Sequence, residues 1–322
     1  MNGLAVARQY YRTVGRPALQ AQFPGLLPRM AFGLAGEGSE CFGFDDALSR
    51  DHDWGAGFCI WLDEADFRQY GAQVQAAYAA LPAEQAGFPV RQEGEYGSGR
   101  VGCLCTQQWY RRYTGLAEGP RTLAEWRRVP EAFLATAVNG EVFDDPLGRF
   151  SAARDRLLAY YPEDVRCKKI AARAAVMAQA GQYNYPRCVK RGERVAAQLA
   201  LAEFMRAGMS MVYLLNRRYA PFYKWMHRGL EGLPKLPRAH GQFARLAGAA
   251  PGAQAEEIME GICLTVAAEL RRQGLSGSSD SFLQTHAAEV MAHIADPVLR
   301  QAHVIRVIHI EKEMDHEKNT SL

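Results

Sequence analysis

Asp51 and Asp53 flank His52 and follow a Gly38-Ser39 pair by about a dozen positions. Two carboxylates at i and i+2 of an extended segment share one face. Held close they repel, unless a cation sits between them. Hard oxygen ligands of this kind suit Mg2+, which takes one or two protein carboxylates and completes its shell with water and substrate phosphates. The Gly38-Ser39 turn supplies the complementary half, because backbone N–H groups at a helix start hold phosphate. The chemistry implied is binding of the distal phosphates of a nucleoside triphosphate together with a divalent cation. His52 points by alternation to the opposite face, packed or hydrogen-bonded behind the site. The same residues also fit a plainer arrangement, a strand-end turn followed by solvated acids in a loop.

These groups need elements to position them. The apolar run Met30 to Ala35 predicts a strand, and Gly36 and Gly38 allow a tight turn into a short helix. Trp54 to Leu62 predicts a second strand carrying the aspartates at its start. Asp63-Glu64-Ala65-Asp66 then reads as a helix start with capping acids, and Phe67, Tyr70, Val74, Ala77 and Tyr78 continue it toward Pro82. The segment 93–99 is turn-rich, and Val101 to Thr106 predicts the next strand. Ahead of these, residues 2–14 predict a helix ending near Gly15-Arg16-Pro17. Thr122 to Ala137 reads as helical, and 140–150 as a short strand and turn whose acids form turns. From Ser151 onward helical patterns dominate, over 151–161, 165–181, 192–216, 255–273, 281–294 and 297–314. The change of character places a boundary near residue 150.

The order of a strand, Gly38-Ser39 and Asp51-His52-Asp53 resembles the core motif of the DNA polymerase beta-like nucleotidyltransferase superfamily. Gly43 falls where many members carry a second glycine. The stretch Gly140-Glu141-Val142-Phe143-Asp144-Asp145-Pro146-Leu147-Gly148 is similar to one that closes the catalytic domain in kanamycin-type relatives. The wider chain looks like an uncharacterised bacterial family of such proteins, related in layout to the kanamycin-type and minimal nucleotidyltransferases. The resemblance implies an α+β fold: a nucleotidyltransferase-like small mixed sheet with helices over 1–150, then an all-helical C-terminal domain over 151–322 closing the cleft. It further implies Mg2+ as cofactor and a nucleoside triphosphate as substrate, with its nucleoside monophosphate moved to a hydroxyl of a small molecule or protein. Asp51 and Asp53 would hold the metal, and Gly38 and Ser39 the distal phosphates.

Val101 to Thr106 departs from that pattern. Many members place a third carboxylate on this strand, and here there is none, although Glu93 or Glu95 could reach the site from the hairpin. The gap leaves two-metal catalysis open. It also keeps an alternative in view, a catalytically degenerate nucleotide-binding regulator, and beside it an antitoxin-like interaction protein.

The segment 192–216 is apolar nearly all round, yet Glu203, Arg206, Ser210, Tyr213 and Arg217 recur as one polar stripe. Burying such groups unpaired costs about 1–3 kcal/mol each, so the stripe must meet water, a ligand or another polar surface. In aminoglycoside nucleotidyltransferases a glutamate of the second domain acts as general base, and Glu203 best resembles it. Glu203 and Arg206 equally fit an i,i+3 surface pair. Beyond the stripe, cations alternate with aromatics from Asn216 to Trp225. Arg217, Arg218 and Lys224 could neutralise phosphates while the rings stack a base; equally, the rings could be core with the cations reaching outward. Lys168-Lys169 and Lys190-Arg191 read as solvated faces.

Composition bounds the rest. The charged fraction of 23% and hydrophobic fraction of 48% are those of a globular protein, with length enough for two domains. A net charge of +3 does not make nucleic acid a default partner. Seven scattered cysteines favour free thiols in a reducing compartment. With no signal peptide and no apolar run of membrane-spanning length, the expected location is cytoplasmic.

Overall fold

Four short apolar or alternating runs become strands: β1 (Ala31–Leu34), β2 (Cys59–Leu62), β3 (Gly102–Cys105) and β4 (Glu141–Asp144). β1 and β2 are buried along their whole length, as their unbroken apolar sequence requires. The computed structural model describes residues 2–50, 53–91 and 99–305. Its strands form one mixed sheet in the order β3-β2-β1-β4. β1 runs antiparallel to both of its neighbours, while β2 and β3 are parallel and are joined across the helix Glu64–Ala79. Asp63 caps that helix by accepting from the Asp66 amide at 3.1 Å, the role its sequence position implies.

Phe32, Ile60 and Leu62 pack with Tyr11, Phe58 and Val74 into one core. Trp61, between Ile60 and Leu62, faces the other way and stacks on Phe150 at 3.8 Å. The N-terminal helix Gly3–Tyr10 does not stop near Gly15. It widens into a π turn, Tyr11–Gly15, and continues as Arg16–Gln22. Pro17, which has no amide to donate, follows directly on this π turn, in which the Arg16 amide donates back to the Tyr11 carbonyl. A Cβ on Gly15 would lie 2.3 Å from the Phe58 ring, so the absence of a side chain there lets the helix close on the core.

Topology decides which loops meet. Leu34, the last residue of β1, pairs with Glu141, the first of β4; Gly33 pairs with Cys59, the first of β2; and Cys59 pairs with Gly102, the first of β3. The loop leaving β1 and the loops entering β2, β3 and β4 therefore share one edge of the sheet.

The chain divides into two compact units, the first made of Met1–Pro120 with Phe133–Ala159, the second of Arg121–Ala132 with Tyr160–Leu322. The sequence places one boundary near 150; this division falls at 159 and puts residues 121–132 with the second unit. Among its described residues the second unit is helical, built on Glu163–Met177, Arg194–Leu215, Ala253–Arg272 and Leu283–Ala292. No described helix is long and apolar enough to cross a membrane.

Lys168 and Lys169 correct the sequence reading. Their helix is packed by both Arg194–Leu215 and Leu283–Ala292, so both lysines are fully buried rather than solvated. Lys190 and Arg191 are exposed. The Lys168 ammonium donates to the Ala302 carbonyl at 2.6 Å and lies 3.5 Å from the Met291 sulfur. Burial, with a smaller effect of Arg127, lowers it to about 8 from an ordinary 10.5. Between those pH values the unfolded chain keeps a proton that the folded chain releases, so stability rises with pH across the window. Lys168→Met is expected to raise the melting temperature below pH 8, with an advantage that shrinks as pH climbs through the window. Thermal denaturation on either side of the window checks this.

Candidate functional site

The Gly38-Ser39 turn sits at the shared sheet edge and is fixed from several directions. Gly36, at φ +133°, is held by Asn139, whose side chain accepts from the Gly36 amide at 2.9 Å and donates to its carbonyl at 2.6 Å. Gly38 is extended and begins the single 3-10 turn Ser39–Phe42, which Gly43 ends at φ +70°. Behind the turn the Gly140 amide donates to the Cys41 carbonyl at 2.7 Å, and Arg154 donates to the carbonyls of Val138, Asn139 and Gly140. A Cβ on Gly38 would lie 2.3 Å from the Glu40 carboxylate. Glu40 is buried and accepts from both terminal nitrogens of the buried Arg91 at 3.2 and 3.3 Å. The turn is thus preorganised, with Ser39 left half-buried at its start.

Asp53 departs from the strand expected of it. It lies in a bend six residues ahead of β2, at φ +53°. Gly55 at φ +131° and the bridge from Ala56 to Val90 keep the run Trp54 to Phe58 out of the ladder, so alternation does not govern the aspartate. A left-handed non-glycine residue is uncommon, although Asp tolerates it better than most, and such strain gathers at functional sites. The Asp53 carboxylate is nearly buried and accepts from Arg100 at 3.0 Å. Arg100, entering β3, also lies 4.0 Å from Glu37, which pairs with Arg112 at 3.1 Å. Glu37 stands beside Gly38, so Arg100 links the aspartate to the Gly-Ser turn. Asp51 and His52, and with them Glu93 and Glu95, lie outside the described residues.

Asp45 ties a third strut to this cluster. Its carboxylate accepts from the Gly3 amide at 2.8 Å and from the Trp54 indole at 3.0 Å, so the start of the first helix and the residue after Asp53 share one anchor. Cys41 within the turn and Cys59 behind it are both buried. Burial pushes the Cys41 thiol well above its ordinary range and the Cys59 thiol to about 12. β3 carries no carboxylate. Glu141 and Asp144, read from sequence as turn formers, stand on β4, where Arg8 and the Tyr11 hydroxyl engage them. Only Asp145 keeps the turn role among these three, accepting from the Ser151 amide at 2.8 Å.

The remaining sequence-predicted residues belong to the second unit and do not form one stripe there. Ser210 turns inward, donating to Glu131 at 2.8 Å and accepting from Arg173 at 2.8 Å. Tyr213 is buried and donates to the Met226 carbonyl at 2.8 Å. Glu203 and Arg206, half-exposed, pair at 3.0 Å. About 18 Å of helical rise separates Glu203 from the helix end at Leu215, and Arg217 lies beyond that end, so the two do not share a cluster. Arg217, at φ +53°, pairs with Glu163 at 2.8 Å. Arg218 and Lys224 are exposed. Sequence reasoning passed over Arg100, Arg91, Glu37 and Glu40; the signal for them lay in the sheet edge, which a strand order is needed to define.

Mg2+ would fit this donor set on chemical grounds, since it needs only one or two carboxylates beside water and phosphate oxygens. Asp53 is a hard-oxygen donor whose charge is met in this structure by the Arg100 guanidinium. Among the described residues no group of three or more His, Cys, Asp or Glu side chains is placed to hold a metal.

A family described as a domain of unknown function, DUF4037, matches residues 126–226. The match includes Glu131, Arg173, Ser210 and the Arg217 to Trp225 segment, and stops short of Gly38, Ser39 and Asp53. Comparison with curated proteins and with solved structures gives no match.

Proposed function

We propose that the first unit binds a nucleoside triphosphate with Mg2+ and that the protein transfers its nucleoside monophosphate to a hydroxyl, in the manner of the polymerase-beta-like nucleotidyltransferases it resembles. The observation supporting this most is the linkage Glu37–Arg100–Asp53, which sets a strained aspartate beside a preorganised Gly-Ser turn at one sheet edge. Gly38 and Ser39 take the distal phosphates, and Asp51 and Asp53 hold the ion. When bound, Mg2+ supplies charge neutralisation and orientation of the phosphates. Arg100 would have to leave Asp53 when the ion is held there, keeping Glu37 as its partner. The acceptor oxygen then bonds to the α-phosphorus while the bond to the α–β bridging oxygen breaks, pyrophosphate leaves, and the acceptor proton passes to a base.

A second reading, a regulator that binds nucleotide without turnover, is favoured by Arg100 seated on Asp53 and by the carboxylate-free β3. Pyrophosphate release and self-labelling from each nucleoside triphosphate separate the two. Release or labelling that disappears in Asp53→Asn supports transfer; tight binding with neither supports the regulator.

A further inference from the structure

The net charge of +3 conceals an asymmetry. The second unit holds 25 lysines and arginines against 18 aspartates and glutamates, whereas the first holds 13 against 17. Arg166, Lys168, Lys169 and Arg173 are buried, but many of the other cations are exposed, Arg218, Lys224 and Arg228 among them, in the stretch just beyond the helix Arg194–Leu215.

There Phe222 and Tyr223 are 49% and 74% exposed and lie against each other at 4.6 Å between ring centroids. Lys224 lies 5.4 Å and Arg228 5.8 Å from the Trp225 ring, and Arg218 is exposed nearby in sequence. Large rings in water lose apolar burial that a core position would give them. Rings used as core would not stand out in this way, and the contacts of Lys224 and Arg228 fall on the neighbouring half-buried Trp225, leaving the faces of Phe222 and Tyr223 to solvent.

The scaffold beneath is rigid. The Asn216 side chain donates to the Val212 and Lys235 carbonyls and accepts from the Lys235 amide, stapling the helix end to the following loop. Tyr213 fixes the Met226 carbonyl, and His227 stacks on His240 at 4.2 Å. A platform held in place before binding loses little entropy when a ligand arrives.

We propose that Phe222 and Tyr223, flanked by Arg218, Lys224 and Arg228, form a surface that binds single-stranded polynucleotide. Unstacked bases present flat faces to the rings, the phosphates meet the cations, and the positive charge of the unit favours the encounter. A duplex hides its base faces and offers nothing to Phe222 and Tyr223. The inference does not depend on the nucleotide site of the first unit; if both hold, a polynucleotide hydroxyl becomes the acceptor class.

The test is fluorescence anisotropy of labelled oligouridylate and oligothymidylate with the whole chain, across a salt series. Phe222→Ser and Tyr223→Ser are each expected to weaken binding about tenfold, with melting temperature and triphosphate binding unchanged because both side chains face solvent. Lys224→Gln is expected to flatten the salt dependence. Several results would overturn the proposal: no binding at low salt, binding indifferent to both ring substitutions, equal affinity for duplex, or a dimer of this chain that the same substitutions disrupt. Comparison of oligouridylate with oligodeoxyuridylate, which differs from it only at the sugar, tells whether the 2′-hydroxyl is read.

Discussion

Asp53→Asn is expected to weaken Mg2+-dependent binding of nucleoside triphosphate about 100-fold, while Arg100→Met strengthens it about tenfold. The Arg100 guanidinium and the ion compete for one carboxylate, that of Asp53. A charge-assisted hydrogen bond contributes roughly 1.5–3 kcal/mol, and the Arg100 guanidinium must give up such a bond before a cation can take Asp53. Removing the arginine lifts that cost; removing the carboxylate takes away the ion's ligand. Asparagine keeps the shape and can still accept from Arg100, so its fold is preserved. The pairing gives the prediction its force. If Asp53 serves only to anchor Arg100, both substitutions disturb the same contact, and both should weaken binding. Opposite signs, measured by titration at fixed Mg2+, identify the aspartate as the cation's ligand.

A second large effect is expected in the helical unit. The Glu131 carboxylate accepts from Arg173 at 3.0 Å and from Ser210 at 2.8 Å, and lies 3.9 Å from the fully buried Lys169 ammonium. Glu131→Gln removes the negative charge and leaves two buried cations facing a neutral amide. Breaking a buried pair in this way costs about 3–5 kcal/mol. For a unit of this size that corresponds to a fall in melting temperature of roughly 10 °C. Ser210→Ala should cost less, about 1–3 kcal/mol, because it removes a hydroxyl and no charge. Glu131→Met with Arg173→Met should recover part of the loss, since the pair's desolvation is relieved along with its attraction. Thermal denaturation of the three variants checks the order; a loss under about 1 kcal/mol for Glu131→Gln would show that water or other groups replace the carboxylate.

Much of the frame was legible because it rests on local rules. An apolar run followed by glycines reads as a strand and turn, and Asp63 ahead of a helical repeat reads as a cap; β1 and the helix Glu64–Ala79 follow. What could not be read is set by contacts distant in sequence. Lys168 and Lys169 look solvated on any local scale, yet neighbours that arrive from residues 194–215 and 283–292 bury them. Asp53 looks like a strand residue until Gly55 and the Ala56–Val90 bridge turn the chain aside. Arg100 has no motif at all. It is drawn to the aspartate because β3 starts where β2 starts, a fact of strand order rather than of spacing. The run from Glu203 to Tyr213 keeps its helical period, but Ser210 and Tyr213 find partners inside the unit while Glu203 and Arg206 face outward, and Arg217 lies beyond the helix end.

The central claim is that Gly38, Ser39 and the two aspartates bind a nucleoside triphosphate through Mg2+. Isothermal titration of ATP, GTP, CTP and UTP, with and without Mg2+, into the wild-type protein and Asp53→Asn tests it most directly. The account predicts saturable, Mg2+-dependent heat with at least one of the four, lost in the variant. No heat with any triphosphate, or binding that ignores both Mg2+ and Asp53, would contradict it.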